Sequence, residues 1–245
     1  VTTIWTLLQA RTRTAPGTPL VTFIDGTAIE RTELSALSLQ NAAAKIANAL
    51  RDEYDLEPGA LVSVQLPVHW QRSTWCAGIW TAGCVLRTDT GGEADLVVTD
   101  LSGVAGAVAA GAHSIAVVSL HPFGLPLVQP VPPPAHDSTV VVRQQPDAYL
   151  FDPPHESDPA LQLADGTVLT QAEVAGRAAG LAAQWSLAPG GRLLATERTG
   201  GRDGWLAALA VPLAMGGSVV LCSGVADERA MALAEKVTAT ASPSA

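Results

Sequence analysis

Apolar positions along the chain switch repeatedly between two periods. Ile4, Leu7 and Leu8 share one helical face and predict a short helix over 3–12. Residues 21–24 form an apolar run closed by Asp25-Gly26-Thr27, which reads as a strand and a tight turn. Leu34, Leu37, Ala42, Ile46, Ala49 and Leu50 then keep helical spacing, with Thr32 as the expected cap and the turn Leu56-Glu57-Pro58-Gly59 as the stop. A strand is expected over 61–66 and a helix over 70–82, ended by Gly83. Short strands follow over 84–86 and 95–99, around a Gly91-Gly92 loop. A weak helix over 101–110 and a strand over 114–119 complete the first half.

The segment HPFGLPLVQPVPPPAH (121–136) interrupts this alternation and reads as a proline-rich linker. The pattern then starts again. A strand at 161–163, the turn Asp165-Gly166-Thr167, a helix over 171–185, a strand over 192–195 and a helix over 203–215 follow. A strand over 218–222 and a helix over 227–236 precede the polar tail TATASPSA, which is expected to fray. The halves share one grammar: DGTAIERTEL (25–34) parallels DGTVLTQAEV (165–174), and LEPG (56–59) parallels LAPG (187–190). WCAGIWTAGCVL (75–86) likewise parallels WLAALAVPLAMGGSVVL (205–221). Strands alternating with helices define an α/β fold: two similar lobes, with mainly parallel sheets flanked by helices. The expected division is a first lobe over 1–120, a linker over 121–146 and a second lobe over 147–245.

Composition narrows the function. The formal charge is −9 with two lysines against twelve arginines, and no basic run occurs, which argues against nucleic acid. The longest apolar stretch, 104–112, is too short to span a bilayer, and the first residues lack the pattern of a secretory signal, so no membrane association and a cytoplasmic location are expected. Cys76, Cys84 and Cys222 are too few and too widely spaced for a disulfide framework or a zinc site, and read as reduced, buried thiols. No metal and no cofactor are expected. No Gly-x-Ser-x-Gly elbow occurs.

The stretch LEPGALVSVQLPVHWQRSTWCAGIWTAGCVL (56–86) resembles the amino-terminal region of the adenylate-forming superfamily, which includes acyl-CoA synthetases and nonribosomal-peptide adenylation domains. Ala47–Leu50, Pro58–Val62, Leu66-Pro67 and Ala82-Gly83 match its motifs in order, and DLVVTD (95–100) its next strand. In the second half, DPALQL (158–163), VPLAMGGSVVLC (211–222) and AEKVTAT (234–240) are similar to the strand before the family's phosphate loop and to the segments that follow it. An actinobacterial family of short AMP-binding-like proteins is the most specific resemblance. It implies the fold of a synthetase amino-terminal domain and, were the chain active, AMP-forming acid–thiol ligase chemistry.

The departures bear on activity. Ala164-Asp165-Gly166-Thr167 stands where the family begins a glycine-rich, lysine-bearing loop, and Val168-Leu169-Thr170 follows at once. Such loops hold phosphate through backbone N–H groups, hydroxyls and a lysine. Here the lysine is missing, and no lysine lies between Lys45 and Lys236. The family's later motifs and carboxy-terminal domain have no counterpart in the sequence. Asp165, Gly166 and Thr167 are therefore candidates either for a plain turn or for a remnant ligand site. Arg198, Arg202 and Trp205, in RTGGRDGW, are candidates for holding a carboxylate or phosphate at a helix start, against solvated arginines behind an Asp203 cap.

His69, Trp70 and Trp75 read as a core edge or interface, or else a ligand cage. Cys84 reads as a buried strand residue or a nucleophile, and His155 with Glu156 near Asp158 as a weak acid–base pair. The resulting expectation is a non-catalytic protein that binds a small acyl or nucleotide-like ligand or a partner protein. Its alternatives are an adenylating enzyme completed in trans, and an interaction module such as a homodimer joined through the 70–80 helix.

Overall fold

The computed structural model describes residues 2–89 and 93–243, so the Gly91-Gly92 loop and the last two residues of the tail lie outside the described residues. Helix α1 (Ile4–Thr14) starts at Thr3, whose hydroxyl accepts the Thr6 N–H at 3.1 Å. Strands β1 (Pro19–Asp25) and β2 (Glu30–Ser35) form an antiparallel hairpin about the first Asp-Gly-Thr. This corrects the expected helix start. Thr32 pairs with Phe23 inside the hairpin, and α2 (Ala36–Asp52) begins behind Ser35, whose hydroxyl accepts the Ser38 N–H at 3.1 Å. The segment Glu30-Arg31-Thr32-Glu33-Leu34 fits either period, and pairing with β1 decides it.

Strand β3 (Leu61–Gln65), helix α3 (Trp70–Thr81) and strand β4 (Val85–Arg87) follow as predicted. Next come β5 (Leu96–Thr99), α4 (Val104–Ala109), β6 (Ile115–Val117), β7 (Ala135–Asp137) and α5 (Ser138–Gln144). The last two are regular elements inside the segment expected to be linker. The second half runs through β8 (Pro159–Gln162), β9 (Val168–Thr170), α6 (Gln171–Gln184), β10 (Arg192–Thr196), α7 (Gly201–Ala208) and α8 (Ala210–Ala214). It closes with β11 (Ser218–Ser223), α9 (Glu228–Ala234) and β12 (Ala239–Thr240).

One helix was expected over 203–215, but the chain breaks at Leu209 (φ −151, ψ −54). Pro212 has no N–H to give the Ala208 carbonyl, and that carbonyl accepts the Ser73 hydroxyl at 2.8 Å instead. The tail does not fray over its described part. Residues 239–240 pair with β10, and the Ser242 carbonyl accepts the Trp185 indole N–H at 3.0 Å.

The strands form two sheets, ordered β12-β10-β11-β1-β2 and β7-β6-β5-β3-β4-β8-β9, parallel except within the β1–β2 and β8–β9 hairpins. Each half contributes a hairpin, a helix, a strand, a helical crossover and a strand. The LEPG and LAPG turns superimpose in function: Gly59 N–H bonds the Gly83 carbonyl, and Gly190 N–H the Met215 carbonyl, both at 2.8 Å.

The hairpins are exchanged. β1 joins β11 of the second half, and β8 joins β4 of the first. Each sheet therefore takes strands from both sides of the segment 121–146, and the expected division into lobes along the sequence does not map onto the sheets.

One continuous apolar cluster includes both sheets and α1, α2, α3, α6, α7 and α8, while α4 and α9 cover the outer faces through smaller clusters. Trp75 and Trp80 are 2% and 0% exposed, so the α3 face expected to join two copies is already spent inside one chain. Among the described residues, no helix is long and apolar enough to cross a membrane.

Candidate functional site

Parallel α/β sheets present their ligand crevices at the carboxyl ends of their strands. Here two such ends face each other. The segment after β3 and the segment after β10 occupy equivalent places in the two halves and enclose a pocket of about 220 Å³. Pro67, Val68 and Arg72 line it from the first half, and Thr196, Glu197, Gly200 and Trp205 from the second.

Arg72 is the chemical centre of this pocket. It lies in the first turn of α3, with its guanidinium carbon 4.1 Å above the Trp205 ring. Its Nη2 donates to the Leu66 carbonyl at 2.6 Å, whereas its buried Nε has no hydrogen-bond partner among the described residues. Burial pulls its pKa down to about 10 against the opposing pull of Cys76 and Glu197, so it stays cationic at neutral pH. Among the described residues no carboxylate lies within ion-pair distance of it. A half-buried cation stacked on an indole, with no ion pair among the described residues, suits a small carboxylate.

The residues singled out from sequence separate into two groups. Trp205 enters the pocket. Arg198 and Arg202 do not line it: Arg198 pairs with Glu228, and the Arg202 Nε lies 3.2 Å from the Asp203 carboxylate, which also faces Arg177 at 3.6 Å. The expected pair of free arginines is thus neutralised by local acids. Asp203 is 6% exposed and bound to these arginines instead of standing as a solvated cap.

Asp165, Gly166 and Thr167 form the tight turn of the β8–β9 hairpin. The Asp165 carboxylate accepts the Thr167 N–H at 2.9 Å, Gly166 N–H bonds the Leu163 carbonyl at 2.9 Å, and Leu163 N–H bonds the Thr167 carbonyl at 2.8 Å. Gly166 has φ +85, which the turn requires. These bonds consume the N–H groups of Gly166 and Thr167 that would face an anion. The Thr167 donors hold the Asp165 carboxyl below its usual range, so it remains charged at neutral pH.

The minor candidates resolve on geometry. All three cysteines are buried and free, and burial pushes each thiol up to about 12, which leaves Cys84 no thiolate at neutral pH. Asp158 accepts the His155 backbone N–H at 2.8 Å, a turn contact with no proton-transfer geometry. Among the described residues no group of three His, Cys, Asp or Glu side chains is placed to hold a metal. Sequence reasoning missed Arg72, since one arginine in Gln71-Arg72-Ser73 carries no motif. Its place in the first turn after a strand end was the available signal.

With that geometry in place, comparison defines the class. The fold is that of the adenylate-forming enzymes. The chain superimposes with a TM-score of 0.68 on a benzoate CoA ligase from Burkholderia xenovorans LB400, at 18% identity over 91% of this chain. The score is 0.66 with MatB from Rhodopseudomonas palustris (18%, 89% of this chain) and 0.65 with the nonribosomal peptide synthetase FmoA3 (21%, 96%). The chain spans 45%, 44% and 25% of those three proteins. No family profile matches the chain. It is 34% identical over 218 residues to a TIGR03089 family protein of Mycobacterium tuberculosis (strain ATCC 25618 / H37Rv), covering 87% of this chain and 86% of that protein. The chain belongs to the TIGR03089 family.

Proposed function

We propose that this protein is a non-catalytic, cytoplasmic member of the adenylate-forming fold that holds a small acyl carboxylate at Arg72 and does not adenylate it. The observation that carries the reading is Arg72 itself: a half-buried guanidinium over Trp205, whose buried Nε has no hydrogen-bond partner and which has no ion pair among the described residues. The carboxylate would sit against the guanidinium, and its short chain against Pro67, Val68 and the indole. The β8–β9 turn supports the absence of adenylation, because its N–H groups are internally bonded and Asp165 adds a negative charge where a triphosphate would approach. The three free, buried thiols suit a reducing compartment.

Thermal unfolding with butyrate, ATP, AMP and CoA tests this reading. Butyrate is expected to raise Tm saturably, and Arg72→Met is expected to abolish that rise while circular dichroism stays native. ATP–pyrophosphate exchange should remain at background with butyrate present. Exchange above background would overturn the reading in favour of an adenylating enzyme. A butyrate response that survives Arg72→Met would remove the site.

A further inference from the structure

We propose a second ligand site, independent of the Arg72 pocket, that takes a small monocarboxylate whose apolar body is about the size of a benzene ring. It is the chamber between α2, α3 and α5, with a volume of about 190 Å³. For scale, an engineered apolar cavity of about 150 Å³ stays dry and accepts benzene. Ile46, Trp70, Trp75, Val118 and Val142 give this chamber its apolar walls. The proline-rich segment closes one side. Gly124 (φ +58) lies so near the Trp70 ring that a Cβ there would stand 3.2 Å from Cη2, and its N–H bonds the His121 carbonyl at 2.8 Å.

The cationic lining specifies the charge of the ligand. Lys45 and Arg143 line the same chamber. Lys45 is committed to Asp147 at 3.0 Å and to the Gln145 carbonyl, whereas Arg143 is exposed and has no ion pair among the described residues. Arg143 is thus the open cation. A carboxylate can address Arg143 while its ring or branched chain lies against the apolar walls.

Indole N–H resonances of the whole protein provide the test, with Trp70→Phe and Trp205→Phe assigning the two relevant signals. Phenylacetate and its uncharged counterpart benzyl alcohol are the probes. Both are expected to shift the Trp70 signal saturably, phenylacetate binding about fivefold more tightly, on the scale of one exposed ion pair. Val142→Trp should abolish both responses by filling the chamber, and Arg143→Gln should erase only the preference for the acid. Arg72→Met should leave the Trp70 response unchanged, which separates this site from the carboxylate site at Trp205. An unmoved Trp70 signal, or a response that survives Val142→Trp, overturns the proposal. Equal affinity for the two probes overturns the carboxylate assignment.

Discussion

The protein contains the tripeptide Asp-Gly-Thr twice, and the two copies differ in what packs against the turn. In both, the aspartate carboxylate accepts the threonine N–H, at 2.7 Å from Asp25 and 2.9 Å from Asp165. Each turn joins two antiparallel strands and leads into a long helix. The first turn is packed on one side: Gly26 N–H bonds the Ser223 carbonyl at 2.8 Å, and a Cβ on Gly26 would stand 2.5 Å from the Gly224 carbonyl. The second is open, with nothing within 4 Å of a Cβ on Gly166. Local chemistry therefore fixes the turn, and only the surroundings decide whether it is a packing element or an accessible edge. The accessible copy turns its Gly166 and Thr167 N–H groups inward, onto the Leu163 carbonyl and the Asp165 carboxylate.

Substitutions can break or sharpen this comparison between the halves. The largest loss is expected for Trp80→Ala, at about 4 kcal/mol by denaturant unfolding, since Trp80 is fully buried and its indole ties α3 to the exchanged hairpin through Ala160 at 2.9 Å. Gly26→Ala should cost about 3 kcal/mol, because the new methyl meets backbone. Gly166→Ala should cost only about 1 kcal/mol, the strain of positive φ. Equal losses at the two glycines would erase the contrast.

The helix caps differ too. α3 is capped by His69, whereas Gly200 precedes α7 without a side-chain cap. Burial against Phe23 and Trp70 lowers the His69 pKa from 6.5 to about 4, with a Leu120 backbone bond opposing. Between those values the unfolded chain binds a proton that the folded chain refuses. This contribution is thus fully present above pH 6.5 and is lost as pH falls, by about 2 kcal/mol at pH 5. His69→Asn should flatten that part of the stability–pH curve. The smallest contrast is at the starts of the long helices: Ser35→Ala and Thr170→Ala should each cost about 1 kcal/mol, and Thr32→Ala less than either.

Much of the order of elements was legible because it rests on local signals: helical spacing through 36–50, and the Pro-Gly turns before β3 and β10. Residues 30–35 were misread because a strand with one buried side chain, Leu34, shows no clear alternation. The hairpin exchange was invisible because pairing partners such as Val21 and Val219 are chosen by three-dimensional packing. At the site, Trp205 stood out as a large residue in a glycine-rich loop. Arg72 did not, since its stacking on Trp205 and its lack of an ion pair among the described residues are properties of the fold.

The exchange also sets an order of events. Val21 faces Val219 and Leu161 faces Leu86, so each sheet contains a pairing that spans the proline-rich segment. During synthesis the first hairpin emerges early and has no sheet to join until nearly two hundred further residues have followed, on the spacing of its partner. Contacts this distant in sequence slow folding. Strands β1 and β4 therefore each wait for a strand of the second half, and a pause in translation between the halves leaves both sheets with an unpaired edge.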